Sequence, residues 1–502
     1  MEKSKHEKIM DIASKRGFFY PSAEIYGSKS GFWTYGSLGT KIKHKWENLW
    51  RKYFLSLDSN FYEIDDVNIL PKKVFESSGH LKNFNDPLTE CEKCHFRFKA
   101  DQLIEKELKI SAASLNENDL TKMIRENKLK CSNCKGNLSD VRFFNMMFDV
   151  KVGAVGEDLM YLRPESAQSP YLSFKREFEA TRRKLPLGLA VIGKAFRNEI
   201  SPRQGFFRLR EFTQAELQIF FDPDKLNKHE YFNSIKGYKL ILHIKNKTSK
   251  ISCDDVVQKL KLPKFYVYYL SKVQRFYLEI LKINENLFRF RELGEKERAF
   301  YNKIHFDMEL DLESLGGFKE VGGVHFRGSY DLSKHQEGSG SKLEVTIEEN
   351  GKSKKVLPNV LELSFGVDRN IWALLDIFYK EEKERTLFNF PKIITPLDAA
   401  IFPLVNKDGL LELSEQLFIN LRNEGFNLFF DSNSSIGRRY RRIDEIGCLI
   451  GVTLDYQTKV DSTVTIRDGL SMKQIRVKMS DLKNVLNKLL KDEKIEKIGK
   501  II

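Results

Sequence analysis

Apolar residues recur at helical spacing between positions 40 and 57: Ile42, Trp46, Leu49, Trp50, Tyr53, Phe54 and Leu57 share one side, with Thr40 placed as an N-cap. This predicts an amphipathic helix with an aromatic face, and a short apolar stretch, Val67 to Leu70, then runs into Pro71. The stretch from Val191 to Phe220 predicts strand, polar turn, strand. In its second strand Phe207, Leu209, Thr213, Ala215, Leu217 and Ile219 alternate with Arg208, Arg210, Phe212, Gln214 and Glu216, so the two sets occupy opposite faces. Pro358 to Leu375 predicts a strand that breaks at Gly366 into a helix with Val367, Ile371, Leu374, Leu375 and Phe378 on one side. From Pro391 onward short units alternate: 392–405 extended, 410–424 helical, 426–431 extended, then a helix, strands and a last helix near 481–491. That alternation predicts a separate α/β domain over 391–502, following an α+β domain over 1–390.

Two segments interrupt the first domain. Residues 88–140 carry cysteine pairs around a polar middle, as expected of an insertion with its own small fold, and residues 225–300, rich in Lys, Tyr and Glu, read as a mostly helical insertion outside the main core. The length, 502 residues, suits two to four domains. No apolar run approaches the ~18–20 residues that cross a bilayer, so no membrane partner is expected. The charge balance, 84 Lys and Arg against 70 Asp and Glu, gives +14 and favours an anionic partner such as nucleic acid or ATP, although lysine richness by itself has a bland reading as composition bias. Four of the six cysteines form two C-x-x-C pairs, which points to metal or redox chemistry in a reducing compartment. The first residues lack a signal-peptide pattern, and cytoplasm is the expectation.

A strand face that lines up arginine, an aromatic ring and glutamate suits a ligand with anionic, planar and cationic parts. From Phe212 to Glu216 the strand spans roughly 13 Å at ~3.3 Å per residue, the reach from a nucleotide base to a group on its α-phosphate. A solvated strand with ordinary cross-strand ion pairs is the competing reading. Glu362 and Ser364 share a face of the later strand, and Arg369 falls in the first turn of the helix after it, where the helix N-terminus favours phosphate.

Phe196-Arg197-x-Glu199 followed by Arg208-x-x-x-Phe212 resembles motif 2 of the class II aminoacyl-tRNA synthetases, and Gly366-Val-Asp-Arg369 opening a helix resembles motif 3. Pro71 is similar to the motif 1 proline at their dimer interface, and the three occur in the required order. Residues 16–27, Glu76-Ser-Ser-Gly-His80, Arg163-Pro-Glu165-Ser-Ala-Gln168, Arg210-Glu-Phe-Thr-Gln-Ala-Glu216 and Tyr330-Asp-Leu332 resemble the dimeric, single-chain glycyl-tRNA synthetase family. The resemblance implies an antiparallel-sheet catalytic core with insertions, a C-terminal α/β anticodon-binding domain, a homodimer, and charging of tRNA(Gly) with glycine at the expense of ATP. Neither His-Ile-Gly-His nor a phosphate-binding P-loop occurs in the chain.

Carried over by position, the resemblance implies Arg197 and Arg369 as the catalytic arginines on the phosphates. ATP would meet Arg197, Asn198, Glu199, Arg208, Leu209, Phe212, Glu320, Val321 and Arg369, with Phe212 stacked on adenine and Glu199 at its amino group. Glu320 would contact Mg2+ brought with ATP, and Glu362 shares that candidacy. Glu165, Glu216, Glu362 and Ser364 match the positions that crowd glycine, where carboxylates hold the ammonium and fill the space a methyl group needs. For each Glu a surface ion pair is the bland alternative. The sequence Val324-His325-Phe326-Arg327 departs from the family's usual Ala-Asp-Arg while keeping Arg327.

Cys91, Cys94, Cys131 and Cys134 suit a tetrahedral structural Zn2+ site, or else free thiols of a relic insertion. The run 437–442, with four arginines, and Arg467-Asp468 lie where the family binds the anticodon arm, and equally describe a solvated basic face. Two rivals remain at this point: another class II synthetase, such as a threonyl or prolyl enzyme, and a non-catalytic RNA-binding relative.

Overall fold

The computed structural model describes residues 3–502 except 111, 113, 114, 157, 201, 203, 204, 296, 300 and 350. A nine-stranded sheet organises the larger part of the chain. Its strands are β1 (Phe61–Glu63), β2 (Leu187–Phe196), β3 (Glu211–Phe221), β4 (Lys239–Ile244), β5 (Lys247–Ser252), β6 (Phe288–Glu292), β7 (Ile304–Leu312), β8 (Gly317–Gly328) and β9 (Asn359–Gly366). They lie in the order β5-β4-β6-β7-β8-β9-β3-β2-β1, antiparallel except for the pairs β1/β2 and β4/β6. The α+β expectation is met, with an antiparallel sheet at its centre.

One face of this sheet is dry. Helix α1 (Ser37–Phe54) lays Ile42, Trp46, Trp50 and Phe54, all fully buried, against Phe365 of β9, whose ring lies 5.0 Å from that of Phe54 and 5.9 Å from that of Trp50. Truncating a buried aromatic of this size costs about 3–5 kcal/mol. Because strand side chains alternate, anchoring Phe365, Leu363 and Leu361 in this core turns Ser364 and Glu362 to the opposite face. On that opposite face α2 (Gln168–Ala180) packs Tyr171, Phe174 and Phe178 over Leu187, Leu189, Phe220 and Val360, closing its lower end and leaving the upper end open.

Three expectations need correction. Helix α1 begins at Ser37 with Gly36 as its N-cap, so Thr40 lies inside the first turn and caps nothing. The reason is a close approach: a Cβ on Gly39 would sit 1.8 Å from the carbonyl oxygen of Phe18, so the first turn nests on the preceding chain where only glycine fits. The second strand of the 191–220 pair begins only at Glu211, because residues 205–207 form a short 3-10 turn whose Phe206 and Phe207 are buried; Arg208 and Arg210 therefore leave the loop, not the ladder. Ser201, Arg203 and Gln204 of the expected polar turn lie outside the described residues.

The segment 225–300 is helix and strand together. Helices Cys253–Leu260 and Lys264–Arg275 are present, yet β4, β5 and β6 extend the central sheet, and Leu240, Ile241 and Leu242 are buried in the main core. A strand buried on both faces shows no alternation, which is why the apolar run did not declare itself as β.

Residues 85–145 form a separate small unit, in which strand Asn85–Glu90 pairs with Arg97–Lys99 and Arg142–Asn145 beside helices Ala100–Leu108 and Glu117–Glu126. Beyond residue 391 a second sheet holds β10 (Ala399–Pro403), β11 (Leu428–Phe430), β12 (Ile450–Leu454), β13 (Thr463–Asp468) and β14 (Gln474–Lys478) in the order β11-β10-β12-β13-β14. Helices Leu410–Asn423, Ile436–Glu445 and Leu482–Leu490 alternate with its strands, as the spacing predicts. Among the described residues no helix is long and apolar enough to cross a membrane.

Candidate functional site

Strand register brings the singled-out residues together. Across β3, β9 and β8, Glu216 faces Ser364 and Ser364 faces Gly323; one step lower, Gln218 faces Glu362 and Glu362 faces His325. These two rows floor a cavity of about 210 Å³ lined by Glu165, Arg197, Glu199, Arg208, Leu209, Phe212, Glu216, Glu320, Glu362, Ser364 and Arg369, among others.

The deep end is acidic. Glu165 accepts a hydrogen bond from Gln168 at 3.0 Å and stands 3.3 Å from His80 and 3.5 Å from Arg327. Burial alone would raise its carboxyl, but those two neighbours hold it well below the usual range. Arg327, wholly buried, donates to Asp331 at 2.7 and 2.8 Å and to Glu362 at 2.9 Å, while Tyr301 lies under its guanidinium at 3.8 Å. Glu362 also accepts from Gln218 at 2.9 Å and Tyr171 at 3.3 Å, which keeps it at the acidic end.

Glu216 differs from both. Its carboxylate oxygens accept only the hydroxyls of Ser166 at 2.8 Å and Ser364 at 2.7 Å, with no cation among the described residues paired to it. Burial, then Glu362 and Glu165 nearby, push it up to about 8. At neutral pH it holds a proton that an incoming cation can replace.

The mouth is basic. Arg197, whose Nε donates to the Pro164 carbonyl at 3.1 Å, sets its guanidinium 5.2 Å from the ring of Phe212 and 5.3 Å from that of Phe84. Glu199 accepts from Arg208 at 3.0 Å, while its carbonyl takes two bonds from Arg210, at 3.1 and 2.8 Å. Arg369 pairs with Glu320 at 3.0 Å and lies 5.4 Å from the ring of Phe207. The turn into helix α3 (Val367–Phe378) is held by Asp368, which accepts from Tyr35 and from the Thr213 amide, both at 2.5 Å. Asn370 of the same helix donates to the Val321 carbonyl at 3.1 Å.

Two expected ATP contacts fall outside the cavity wall as side chains. Strand alternation turns Val321 into the main core between Glu320 and Gly322, and Asn198, whose backbone N–H donates to the Met146 carbonyl at 2.7 Å, does not line the cavity. Gln218 and Tyr171 are not among the residues expected from the sequence. Gln218 continues the 212, 214, 216 alternation by one step and is legible there; Tyr171 comes from a distant helix and is not, while Asp331, within the family-like Tyr330-Asp-Leu332, is fixed in place by Arg327.

The Cys-pair unit brings Cys91, Cys94, Cys131 and Cys134 together with all sulfurs within 4.8 Å of one another, Cys91 to Cys134 at 3.4 Å and Cys94 to Cys131 at 3.6 Å. A tetrahedron with ~2.3 Å zinc–sulfur bonds separates its sulfurs by about 3.8 Å, so the four residues fit a metal. His95 turns outward to Glu90 at 3.0 Å and is no part of the set. This is the one group of three or more potential ligands among the described residues; Glu320 stands apart from it, half exposed at the basic mouth.

In the second domain the arginine cluster divides. Arg439 is buried and spends its guanidinium on the carbonyls of Pro403, Leu404, Asp431 and Ser434, and Arg467 is buried against Asp444 at 3.0 Å. Arg442 pairs with Asp431 at 2.6 Å, which leaves Arg438 and Arg441 as the exposed members.

The family described as tRNA synthetase class II core domain (G, H, P, S and T) matches residues 148–378, and that described as anticodon binding domain matches 398–489. The glycine–tRNA ligase of Thermococcus gammatolerans is 38% identical over 97% of this chain and 98% of its own length. That of Methanococcus vannielii is 34% identical over 97% and 100%. The crystal structure of prolyl-tRNA synthetase from Cryptosporidium parvum, complexed with L-proline and AMP, shares the fold with a TM-score of 0.59 at 12% identity, covering 98% of this chain and 77% of that one. With an acidic pocket floor, a basic mouth and full-length relatives of one kind, this chain belongs to the glycine–tRNA ligase family of class II aminoacyl-tRNA synthetases.

Proposed function

We propose that the chain joins glycine to tRNA(Gly) in two ATP-dependent steps within this cavity. The observation that carries the reading is the polarity of the cavity: a buried carboxyl without a cation at one end, and three arginines beside an aromatic ring at the other. An amino acid joined to a nucleotide presents its charges in that order.

The glycine ammonium replaces the proton on Glu216, with Glu165 and Glu362 beside it and the Ser364 hydroxyl orienting the carboxylate. Adenine lies on Phe212 with its amino group donating to Glu199, in the region bounded by Leu209 and the backbone of Asn198 and Val321. Arg208 and Arg369 take the outer phosphates and Arg197 the α-phosphate. A carboxylate oxygen of glycine attacks the α-phosphorus in line, the bond to the β-phosphate oxygen breaks, and pyrophosphate leaves with glycyl-adenylate retained. Negative charge grows on the non-bridging oxygens during attack, and a fixed donor in such a position contributes about 3–4 kcal/mol of transition-state stabilisation. The terminal ribose hydroxyl of tRNA then attacks the acyl carbon and AMP departs. No side-chain nucleophile is required, because positioning and charge perform the reaction.

Glu320 would hold Mg2+, which neutralises phosphate charge when bound. The four cysteines would hold a structural Zn2+, consistent with a reducing, cytoplasmic setting. We assign residues 1–390 to catalysis and 391–502 to the anticodon, with Arg438 and Arg441 facing RNA. Pro71, exposed at the end of strand Ile69–Pro71, belongs to a homodimer contact; exposed Val67, Val152 and Leu159 on the same small three-stranded sheet or beside it support an apolar partner surface. Incubation of the protein with ATP, Mg2+, labelled glycine and tRNA(Gly) should yield acid-precipitable glycyl-tRNA. Failure to charge tRNA(Gly) at saturating glycine would remove this reading.

A further inference from the structure

Beside the carboxylates, two histidines form a wall to which the reaction assigns no task. His305 on β7, His325 on β8, Glu362 on β9 and Gln218 on β3 are direct cross-strand neighbours in one row. The next row on the same face runs Asp307, Gly323, Ser364, Glu216. Gly323 is the sole position of that row without a side chain, and the space above it is taken: a Cβ there would lie 2.4 Å from His325 Nε2 and 3.1 Å from His305 Nε2. The two rings lean along their strands over the glycine, 4.0 Å apart between centroids.

The imidazoles are held in one orientation. The side-chain nitrogen of Asn302 lies 2.9 Å from His325 Nδ1 and 3.4 Å from His305 Nδ1. With the Asn302 NH2 turned to the rings, both Nδ1 atoms accept and both Nε2 atoms carry the hydrogen. The His325 Nε2–H then faces Glu362, whose Oε1 is 3.6 Å away, and the His305 Nε2–H faces Asp307 at 3.0 Å. Burial first, and the Arg327 charge behind it, hold His325 well below the usual imidazole range, so it enters the pocket as a neutral ring. A neutral ring adds no cation to compete with an ammonium for Glu216 or Glu362.

We propose that His325, backed by His305, is the wall that limits the amino acid to glycine on the Gly323 side of the pocket, where the carboxylates leave the floor uncovered. This rests on the glycine reading above. His325, Ser364, Glu216 and Glu362 all line the same cavity, so a substituent on the amino acid's α-carbon directed toward Gly323 meets the imidazole edge. Shortening the side chain opens room for a methyl group, whereas a side chain of similar reach that ends in an N–H preserves the wall.

The test is ATP–pyrophosphate exchange with glycine and with alanine for wild type, H325A, H325N and H325Q, with thermal melts to select folded variants. One methyl group in a fitted pocket is worth 10–200-fold in discrimination. The expected result is a fall of at least about tenfold in the glycine-over-alanine ratio of kcat/KM for H325A and H325N, with H325Q close to wild type. H325N retains a polar group next to Asn302 and serves if H325A melts early. An unchanged ratio in a folded short variant overturns the inference, as does loss of exchange with both amino acids in parallel, which would make His325 a positioning residue for the carboxylates. Wild-type protein that exchanges with no amino acid would instead remove the functional reading on which the inference stands.

Discussion

Glu216 makes glycine binding a titration. Its folded value of about 8 stands against an ordinary 4.5, and its hydroxyl partners supply no positive charge. At pH 7 such a group is mostly protonated, so recruiting its charge for an ammonium lowers glycine affinity by on the order of tenfold. Glycine affinity should therefore rise about tenfold per pH unit between about pH 6 and pH 7.5 and level off above about pH 8, and binding at pH 7 should release close to one proton per glycine. Stability runs the other way. Between the two values the folded state keeps a proton that the unfolded chain releases, so stability falls as pH rises through that window. At pH 7 the penalty is roughly 3 kcal/mol, and it disappears below about pH 4.5. E216Q removes the titration: its glycine affinity should be weak and flat with pH, and the variant should unfold at higher urea than wild type at pH 7 but not at pH 4. Calorimetry in buffers of different ionisation enthalpy reads the proton, and urea melts at the two pH values read the stability. A wild-type glycine affinity independent of pH from 6 to 8, or E216Q no more stable than wild type at pH 7, would refute the reasoning.

Three further outcomes follow from the geometry. R327M strands Asp331, Glu362 and Glu165 without their guanidinium and should lower urea stability by roughly 3–5 kcal/mol while abolishing exchange with glycine. G39A places a methyl against the Phe18 carbonyl, which helix α1 cannot yield without disturbing Trp46 and Trp50; a clearly lowered melting temperature is expected, by at least the 1–3 kcal/mol typical of overpacking. C91S should reduce bound zinc from one ion per chain to none by atomic absorption and open residues 88–140 to protease, while the core, which has its own separate apolar cluster, melts as before.

The chain reads well wherever local chemistry repeats. Alternation placed Phe212, Gln214 and Glu216 on one face, the glycine break placed Arg369 at a helix start, and the spacing of short units beyond residue 391 matched the second sheet. It reads poorly where tertiary burial replaces periodicity. Leu240-Ile-Leu242 is apolar on both faces of a strand one in from the sheet edge, so nothing in its pattern distinguishes strand from buried helix. The guanidinium of Arg327 and the phenol of Tyr171 reach the pocket floor from elements far apart in sequence, and only packing reveals that they meet at Glu362. Arg439 and Arg467 show the opposite error: in sequence they match a surface for RNA, while in the fold they hold carbonyls and Asp444 together.

The central claim is that one cavity binds a glycine ammonium at its acidic floor and ATP at its arginine mouth. The most direct measurement is amino-acid-dependent ATP–pyrophosphate exchange with each of the twenty amino acids, wild type against R197A. The account predicts exchange with glycine alone and its loss in R197A. Exchange supported by another amino acid in preference to glycine would contradict the assignment of the floor, and exchange undiminished in R197A would contradict the assignment of the mouth.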